Sequence, residues 1–336
     1  MTIELTRGEP GGLHRRRSRV GLQREPATDP HRHTADDTPP VPAVLALFGP
    51  TAVGKTAIAI ALADRLRARG EDPVAISADA LQVYAGLEIL TGTASPAERE
   101  RLEHRLVSFV GVRERFSVAD YQPLAHAQID SLLAGGRMPI VVGGTGLYLR
   151  AALAGLALRP PPRPGVRERL EEEAGVRGPA FLPARLSDLA PWAAQRIAPT
   201  DRSRVIRALE LHEQGALHPP RPESELWTTG TRHPTRLTGL VMQRDALRAR
   251  IDERVDAMVA AGAADEVRAA VAAQASATAR AAVGFRELLE GDVEAMKRRT
   301  RRYARRQVTW LRKLPGAEVI DVTARTPEDI AAQVLP

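Results

Sequence analysis

One octapeptide limits what this chain can fold into more than any other feature: Gly49-Pro50-Thr51-Ala52-Val53-Gly54-Lys55-Thr56, which fits G-x-x-x-x-G-K-[ST]. The apolar run Val44-Leu45-Ala46-Leu47-Phe48 precedes it, and an Ala/Leu/Ile pattern follows to about Arg69. The text therefore reads strand, glycine loop, helix. In that setting the glycines let successive backbone N–H groups turn towards phosphate oxygens, and the helix N-terminus adds its dipole. Lys55 neutralises phosphate charge, and the Thr56 hydroxyl is placed to ligate magnesium. Such a cradle grips any diphosphate, so it identifies a phosphate site without naming a nucleotide.

The surroundings of the loop set the fold class. Buried-strand text recurs at 74–77 and 139–142, each followed by helical periodicity, which predicts a parallel sheet with helical crossovers. The expected class is α/β, a P-loop NTPase-like parallel sheet flanked by helices. After Leu158 the hinge Arg159-Pro160-Pro161-Pro162-Arg163-Pro164 opens a helical stretch over about 166–214, read as an inserted helical subdomain. A second breaker, His218-Pro219-Pro220-Arg221-Pro222, precedes strand-like text at 237–242, where the chain re-enters the sheet. Helices are expected at 245–261, 263–273 and 293–314, and a short strand at 318–321. The expected division is a basic tail without fixed structure at 1–42, the first part of the core at 43–158, the insertion at 159–222, and the return with basic helices at 223–336. His31 and His33, in that tail, lack the scaffold a metal site needs.

At 336 residues the chain can bury one large core with an appended subdomain. No apolar stretch reaches the length of a bilayer span and no secretory signal opens the chain. The absence of cysteine excludes a disulfide framework, a thiolate metal site and a cysteine nucleophile. The cytoplasm is the expected compartment. A formal net charge of +7 favours a polyanionic partner, but the location of the charge must decide. Lys297, Arg298, Arg299, Arg301, Arg302, Arg305, Arg306, Arg312 and Lys313 crowd one helix with no acid among them, which favours a phosphate backbone over a solvated face. Tyr303, Gln307, Trp310 and Leu314 recur at helical spacing on that segment, and the aromatic members read as core.

Three further segments carry candidate chemistry. Asp79, in Ser77-Ala78-Asp79-Ala80-Leu81-Gln82, falls at the carboxyl edge of the sheet and is a candidate base; capping a turn is the commoner role of such an aspartate. The turn Gly143-Gly144-Thr145-Gly146 lets a substrate approach the backbone, or is simply a tight strand-to-helix turn. Arg204 and Arg207 share one helix face, with Val205, Ile206 and Leu209 facing elsewhere, and such a pair suits phosphate recognition.

Taken together, GPTAVGKT, SADALQVY, FSVADYQ, VGGTGLYLRA, RVIRALE, DERVDAMVAAG, AVGFREL and RRYARRQVTWLRK resemble, in this order, the tRNA dimethylallyltransferases, or isopentenyl-tRNA transferases. The match runs from about residue 43 to 313. The resemblance implies transfer of a dimethylallyl group from its diphosphate to the exocyclic amine of the adenosine 3′-adjacent to a tRNA anticodon, with pyrophosphate leaving. Lys55, Thr56 and Asp79 would be the catalytic residues, magnesium on Thr56 the cofactor, and Asp79 the general base. By motif position Asp79, Ala80, Leu81, Gln82, Thr145, Arg167, Ser203, Arg204, Val205, Ile206 and Arg207 would contact tRNA, as would 281–286, including Gly284, Phe285 and Arg286. The insertion would clasp the anticodon stem, the adenine would enter flipped from its stack, and the enzyme would act as a monomer away from membranes.

The chain departs from that family's pattern in places. Ala80 replaces a serine, Ser95 falls in a lengthened stretch that lacks a lysine, Ser108 stands where an acid is usual, and Ala281 replaces a more polar residue. These leave the diphosphate site intact and bear on individual tRNA contacts. The competing readings are a small-molecule kinase, an RNA-binding protein with a vestigial loop, and a transferase acting on free adenylate. The first needs a separate magnesium-holding strand end that the text lacks, the second sits badly with Lys55, Thr56 and Asp79 together, and the insertion and basic helix argue against the third.

Overall fold

A strand with no polar side chain must be covered on both faces. In the computed structural model, which describes residues 43–219 and 225–335, β1 (Val44–Phe48) is buried along its whole length. The tail at 1–42 and part of the second proline breaker lie outside the described residues. Parallel neighbours flank β1, with β4 (Met138–Gly143) on one side and β5 (Thr235–Val241) on the other. Beyond β4 come β2 (Pro73–Ser77) and the two-residue β3 (His104–Arg105); beyond β5 comes β6 (Glu318–Asp321). The six-stranded sheet thus runs β3-β2-β4-β1-β5-β6, parallel throughout and flanked by helices, as the sequence implies.

Side chains of β1 alternate between two cores. Leu45 and Leu47 pack with Ile58 and Leu62 of α1 (Lys55–Arg67) and Ile330 of α14 (Pro327–Val334). Val44, Ala46 and Phe48 face Tyr121 and Ile129 of α4 (Val118–Ala134) and Leu149 of α5 (Gly146–Leu153). Each large side chain fully buried in these layers contributes about 2 kcal/mol, so the frame under the loops is rigid.

Between the two breakers the chain forms α6 (Val166–Arg177), α7 (Phe181–Leu189), α8 (Pro191–Ala194) and α9 (Arg202–Glu213), which share a core including Leu170, Leu186 and Ile206. The chain then returns at β5, directly beside β1. Four more helices follow: α10 (Arg244–Ala260), α11 (Ala263–Ala272), α12 (Phe285–Leu289) and α13 (Val293–Leu311). With α2 (Glu88–Thr91) and the segment after β2 they enclose Val83, Tyr84, Phe285 and Met296. Several elements escape the sequence reading. β3 is too short to show a run, α12 spans only five residues, and α14 is announced only by its Thr326/Asp329 capping box with Pro327 at the first turn. Among the described residues no helix is long and apolar enough to cross a membrane.

This topology fixes the position of the site. The carboxyl ends of β1, β4 and β2 lie side by side, so the loops after Phe48, Gly143 and Ser77 converge on one crevice.

Candidate active site

The loop 49–56 leaves β1 and enters α1 through Gly54, whose φ of 101° only glycine adopts without strain. Ala52, at φ 66°, occupies the same left-handed region despite its Cβ, a cost that persists only where neighbours enforce it. No side chain caps α1 and no acid lies in its first turn, which leaves its N-terminus suited to an anion. Lys55 Nζ folds back to donate to the carbonyls of Gly49 and Pro50, each at 2.9 Å. Its pKa is lowered to about 8, first by burial, then by the Arg254 cation, against the opposing pull of Asp79. A phosphate placed there would restore a full charge to the lysine.

Asp79 follows β2 at the same edge. Its Oδ1 accepts the backbone N–H of Leu81 at 2.9 Å, and its Oδ2 faces the Thr145 hydroxyl at 3.4 Å. Thr145 Oγ1 in turn lies 3.3 Å from the Tyr303 hydroxyl. Burial, then the charge of Asp79, raises Tyr303 so that it keeps its proton. The order Tyr303 to Thr145 to Asp79 is therefore a chain of donors. Each carboxylate oxygen is oriented by one donor and retains a free lone pair. Asp79 caps a turn, as its position suggests, and also faces the crevice.

Of the two readings of the glycine turn after β4, the structure supports the tight strand-to-helix turn. A Cβ at Gly143 would stand 2.2 Å from Ala78 O, one at Gly144 2.3 Å from Gln307 Nε2, and one at Gly146 2.2 Å from the Trp310 ring. The space these glycines leave is filled by protein: the strand end carrying Asp79 and the inner face of α13. Gln307 is buried, and its side-chain amide accepts from Thr51 N–H and donates to Gly144 O, both at 2.9 Å.

The loop and Asp79 open into one cavity of about 710 Å³, to which Thr56, Arg250, Arg254 and Tyr303 also contribute. Such a volume suits a diphosphate and a base together. Arg254 donates to Gly92 O at 3.3 Å, while its buried Nε meets no acceptor among the described residues. A buried donor without a partner is costly, and here it belongs to a cation beside a phosphate loop. Among the described residues no cluster of three or more His, Cys, Asp or Glu side chains could hold a metal. Arg254 and Gln307 escape the sequence reading as site residues, although both lie within the motifs DERVDAMVAAG and RRYARRQVTWLRK.

The residues suggested for RNA contact divide by exposure. Ser203, Arg204 and Arg286 are exposed, and Ala80, Leu81 and Gln82 half-exposed. Gln82 accepts from Ser77 Oγ at 2.9 Å and donates to Gly92 O at 3.2 Å, bracing the crevice wall. Val205 and Ile206 lie in the core of the insertion, and Gly284 and Phe285 pack with Met296 in the core that also holds Val83 and Tyr84. Those four positions supply packing rather than exposed side chains; in α9 the spacing that puts Arg204 outside turns Val205 and Ile206 inwards. Arg167 Nε lies 2.8 Å and Arg207 Nη1 3.2 Å from the two oxygens of the buried Glu210, so both guanidinium groups are held in a charge triad.

The basic helix also differs from its expectation. Its acid-free run is relieved by carboxylates at the start of the same helix and on neighbouring elements: Lys297 pairs with Asp256 and Glu294, Arg298 with Asp292, Arg299 with Glu287 and Arg301 with Asp252. Arg302, Arg305, Arg306, Arg312 and Lys313 are exposed and make no ion pair among the described residues. The outward-facing charge is thus confined to the second half of α13 and the residues just after it.

Comparison with known proteins covers most of the chain. A family model described as IPP transferase matches residues 82–314, and one described as isopentenyl transferase matches 42–116. A tRNA dimethylallyltransferase of Symbiobacterium thermophilum is 40% identical over 291 residues, 83% of this chain and 89% of its own length. One of Thermobifida fusca is 42% identical over 285 residues, covering 81% and 88%. The full-length tRNA isopentenylpyrophosphate transferase from Bacillus halodurans superposes with a TM-score of 0.62 at 34% identity, over 87% of this chain and 93% of that one.

Proposed function

The chain belongs to the tRNA dimethylallyltransferase (IPP transferase) family, and from that premise we propose that it transfers a dimethylallyl group from dimethylallyl diphosphate to the exocyclic amine of the adenosine 3′-adjacent to the anticodon of tRNA. Pyrophosphate is the leaving group. The observation that carries this reading is the single cavity into which a phosphate loop and an oriented carboxylate both open. In such a cavity the loop would hold the donor's diphosphate while the carboxylate takes the proton that the attacking amine must lose.

The diphosphate sits against 49–56, with Lys55 and Arg254 balancing its charge and the prenyl carbon directed towards Asp79. The amine nitrogen attacks that carbon as the carbon–oxygen bond to diphosphate breaks. Asp79 Oδ2 accepts the amine proton while Thr145 and Leu81 N–H keep the carboxylate aimed. Charge developing on the leaving group is met by the loop amides and Lys55. Magnesium would fit the donor set: the Thr56 hydroxyl would be its protein ligand, and with no acidic cage among the described residues its remaining ligands would have to come from diphosphate and water. When bound it would neutralise charge on the leaving group. The exposed Arg204, Arg302, Arg305 and Arg306 supply cations for the RNA backbone.

The test is to incubate the full chain with magnesium, radiolabelled dimethylallyl diphosphate and unmodified tRNA, with AMP and ATP as alternative substrates. Label in tRNA alone supports the proposal. Label in AMP, or ATP hydrolysis without prenyl transfer, would overturn it.

A further inference from the structure

Three observations meet at Gln307. Its side chain, 4% exposed, accepts the Thr51 N–H and donates to Gly144 O, both at 2.9 Å, and so ties the phosphate loop to the turn that carries Thr145. Thr51 directly precedes Ala52, the residue held in the left-handed region at φ 66°. Gly144 has no room for a Cβ, because the Gln307 amide would lie 2.3 Å from it. A strained residue in a loop survives only when its neighbours over-determine it. The half-buried Thr51 N–H finds its acceptor in this side-chain amide.

We propose that Gln307 is a positioning residue that sets the shape of the phosphate loop and locks it in register with the Thr145–Asp79 side of the crevice. It borders the cavity but acts through the loop and the turn rather than on the reacting atoms. By accepting the Thr51 N–H, it holds Ala52 in its strained conformation and leaves the amides of 53–56 free for the cavity. Its other end fixes Gly144 and hence the adjacent Thr145, whose hydroxyl lies against Asp79. One amide therefore holds donor and acceptor halves at a constant spacing. The inference rests on the proposed reading of 49–56 as the cradle of the prenyl diphosphate.

The test uses the full-length chain with Gln307→Leu, which has similar bulk but no hydrogen bonds, and Gly144→Ala, which displaces the Gln307 amide from the other side. Inorganic pyrophosphate binding in magnesium is measured by calorimetry, with KM for dimethylallyl diphosphate, kcat, tRNA affinity and melting temperature alongside. Loss of two buried hydrogen bonds predicts pyrophosphate affinity and donor KM worse by about tenfold or more in each variant, with tRNA affinity within about twofold. In a Gln307→Ala background, Gly144→Ala should cost less than it does alone, because the displaced amide is gone. Pyrophosphate affinity unchanged in Gln307→Leu while the melting temperature falls would reduce Gln307 to packing. A defect confined to tRNA affinity would make it an RNA contact. Either result overturns the proposal. If Gln307→Leu fails to fold, the Gly144→Ala comparison decides by the same criteria. Because pyrophosphate binding is read without RNA, failure here is distinguishable from failure of the wild-type chain to prenylate tRNA.

Discussion

Replacing Asp79 is the sharpest probe of the chemistry, and the structure dictates which replacement to use. Asp79→Ala removes the proton acceptor and also the cap on Leu81 N–H at 2.9 Å, so a loss would mix catalysis with a loosened turn. The turn bond contributes about 1 kcal/mol, enough to move the segment 80–82 along one wall of the crevice. Asp79→Asn keeps an oxygen for Leu81 N–H and nearly the same shape, but its amide cannot take a proton. Loss of a positioned general base slows a step by roughly 10²- to 10⁴-fold. Single-turnover transfer at saturating donor and tRNA should fall by that factor, with donor KM and tRNA affinity within about threefold of wild type, because only the transition state uses the acceptor. Asp79→Ala should be as slow, with a further small loss of stability. An Asp79→Asn enzyme that keeps more than a tenth of the rate would refute the assignment of the base. One that loses tRNA binding in parallel with rate would show that Asp79 serves binding.

Lys55 gives a pH signature. With its pKa lowered to about 8, the free enzyme loses the ammonium as pH rises through that value, so kcat/KM for the donor should fall on an alkaline limb with a midpoint near 8. Lys55→Arg, charged throughout, should flatten that limb, and a limb that persists unchanged would assign it elsewhere. The same shift sets the sign for stability: the folded chain holds the Lys55 proton less tightly than the unfolded chain, so this group's penalty is present below the folded pKa and fades as pH rises towards the unfolded value. Changing Arg302, Arg305 and Arg306 together to Gln should weaken tRNA binding and reduce the salt slope by about one for each phosphate no longer neutralised. Melting temperature should hardly move, since these three make no ion pair among the described residues; an unchanged slope would take α13 off the RNA path.

What the sequence discloses, and what it does not, follows from the range of the interactions. The loop and β1 are legible because a continuous apolar run, a glycine pattern and a helix start are all local. The return of the chain to the sheet is legible because Pro-rich breakers mark both ends of the helical stretch, but its place beside β1 is not. What packs against the glycine turn is not legible, because its neighbours come from far away: Gln307 is 163 residues from Gly144 and 256 from Thr51. No local pattern tells whether a glycine makes room for substrate or for another helix. The basic helix misleads for the same reason. Its neutralising acids, Asp252, Asp256 and Glu287, sit on α10 and α12. Glu210 likewise claims Arg167, which only the packing of α6 against α9 reveals, whereas its pair with Arg207 three residues earlier is local.

The central claim is that one cavity brings a prenyl diphosphate on 49–56 to an adenine amine facing Asp79. The most direct measurement is nuclease digestion and mass spectrometry of unmodified tRNA after incubation with the full chain, magnesium and dimethylallyl diphosphate. The account predicts one added dimethylallyl group, on the exocyclic amine of the adenosine 3′-adjacent to the anticodon, and its absence with Asp79→Asn over the same interval. An unmodified adenosine with the wild-type chain, or a prenyl group on any other nucleotide, would contradict it.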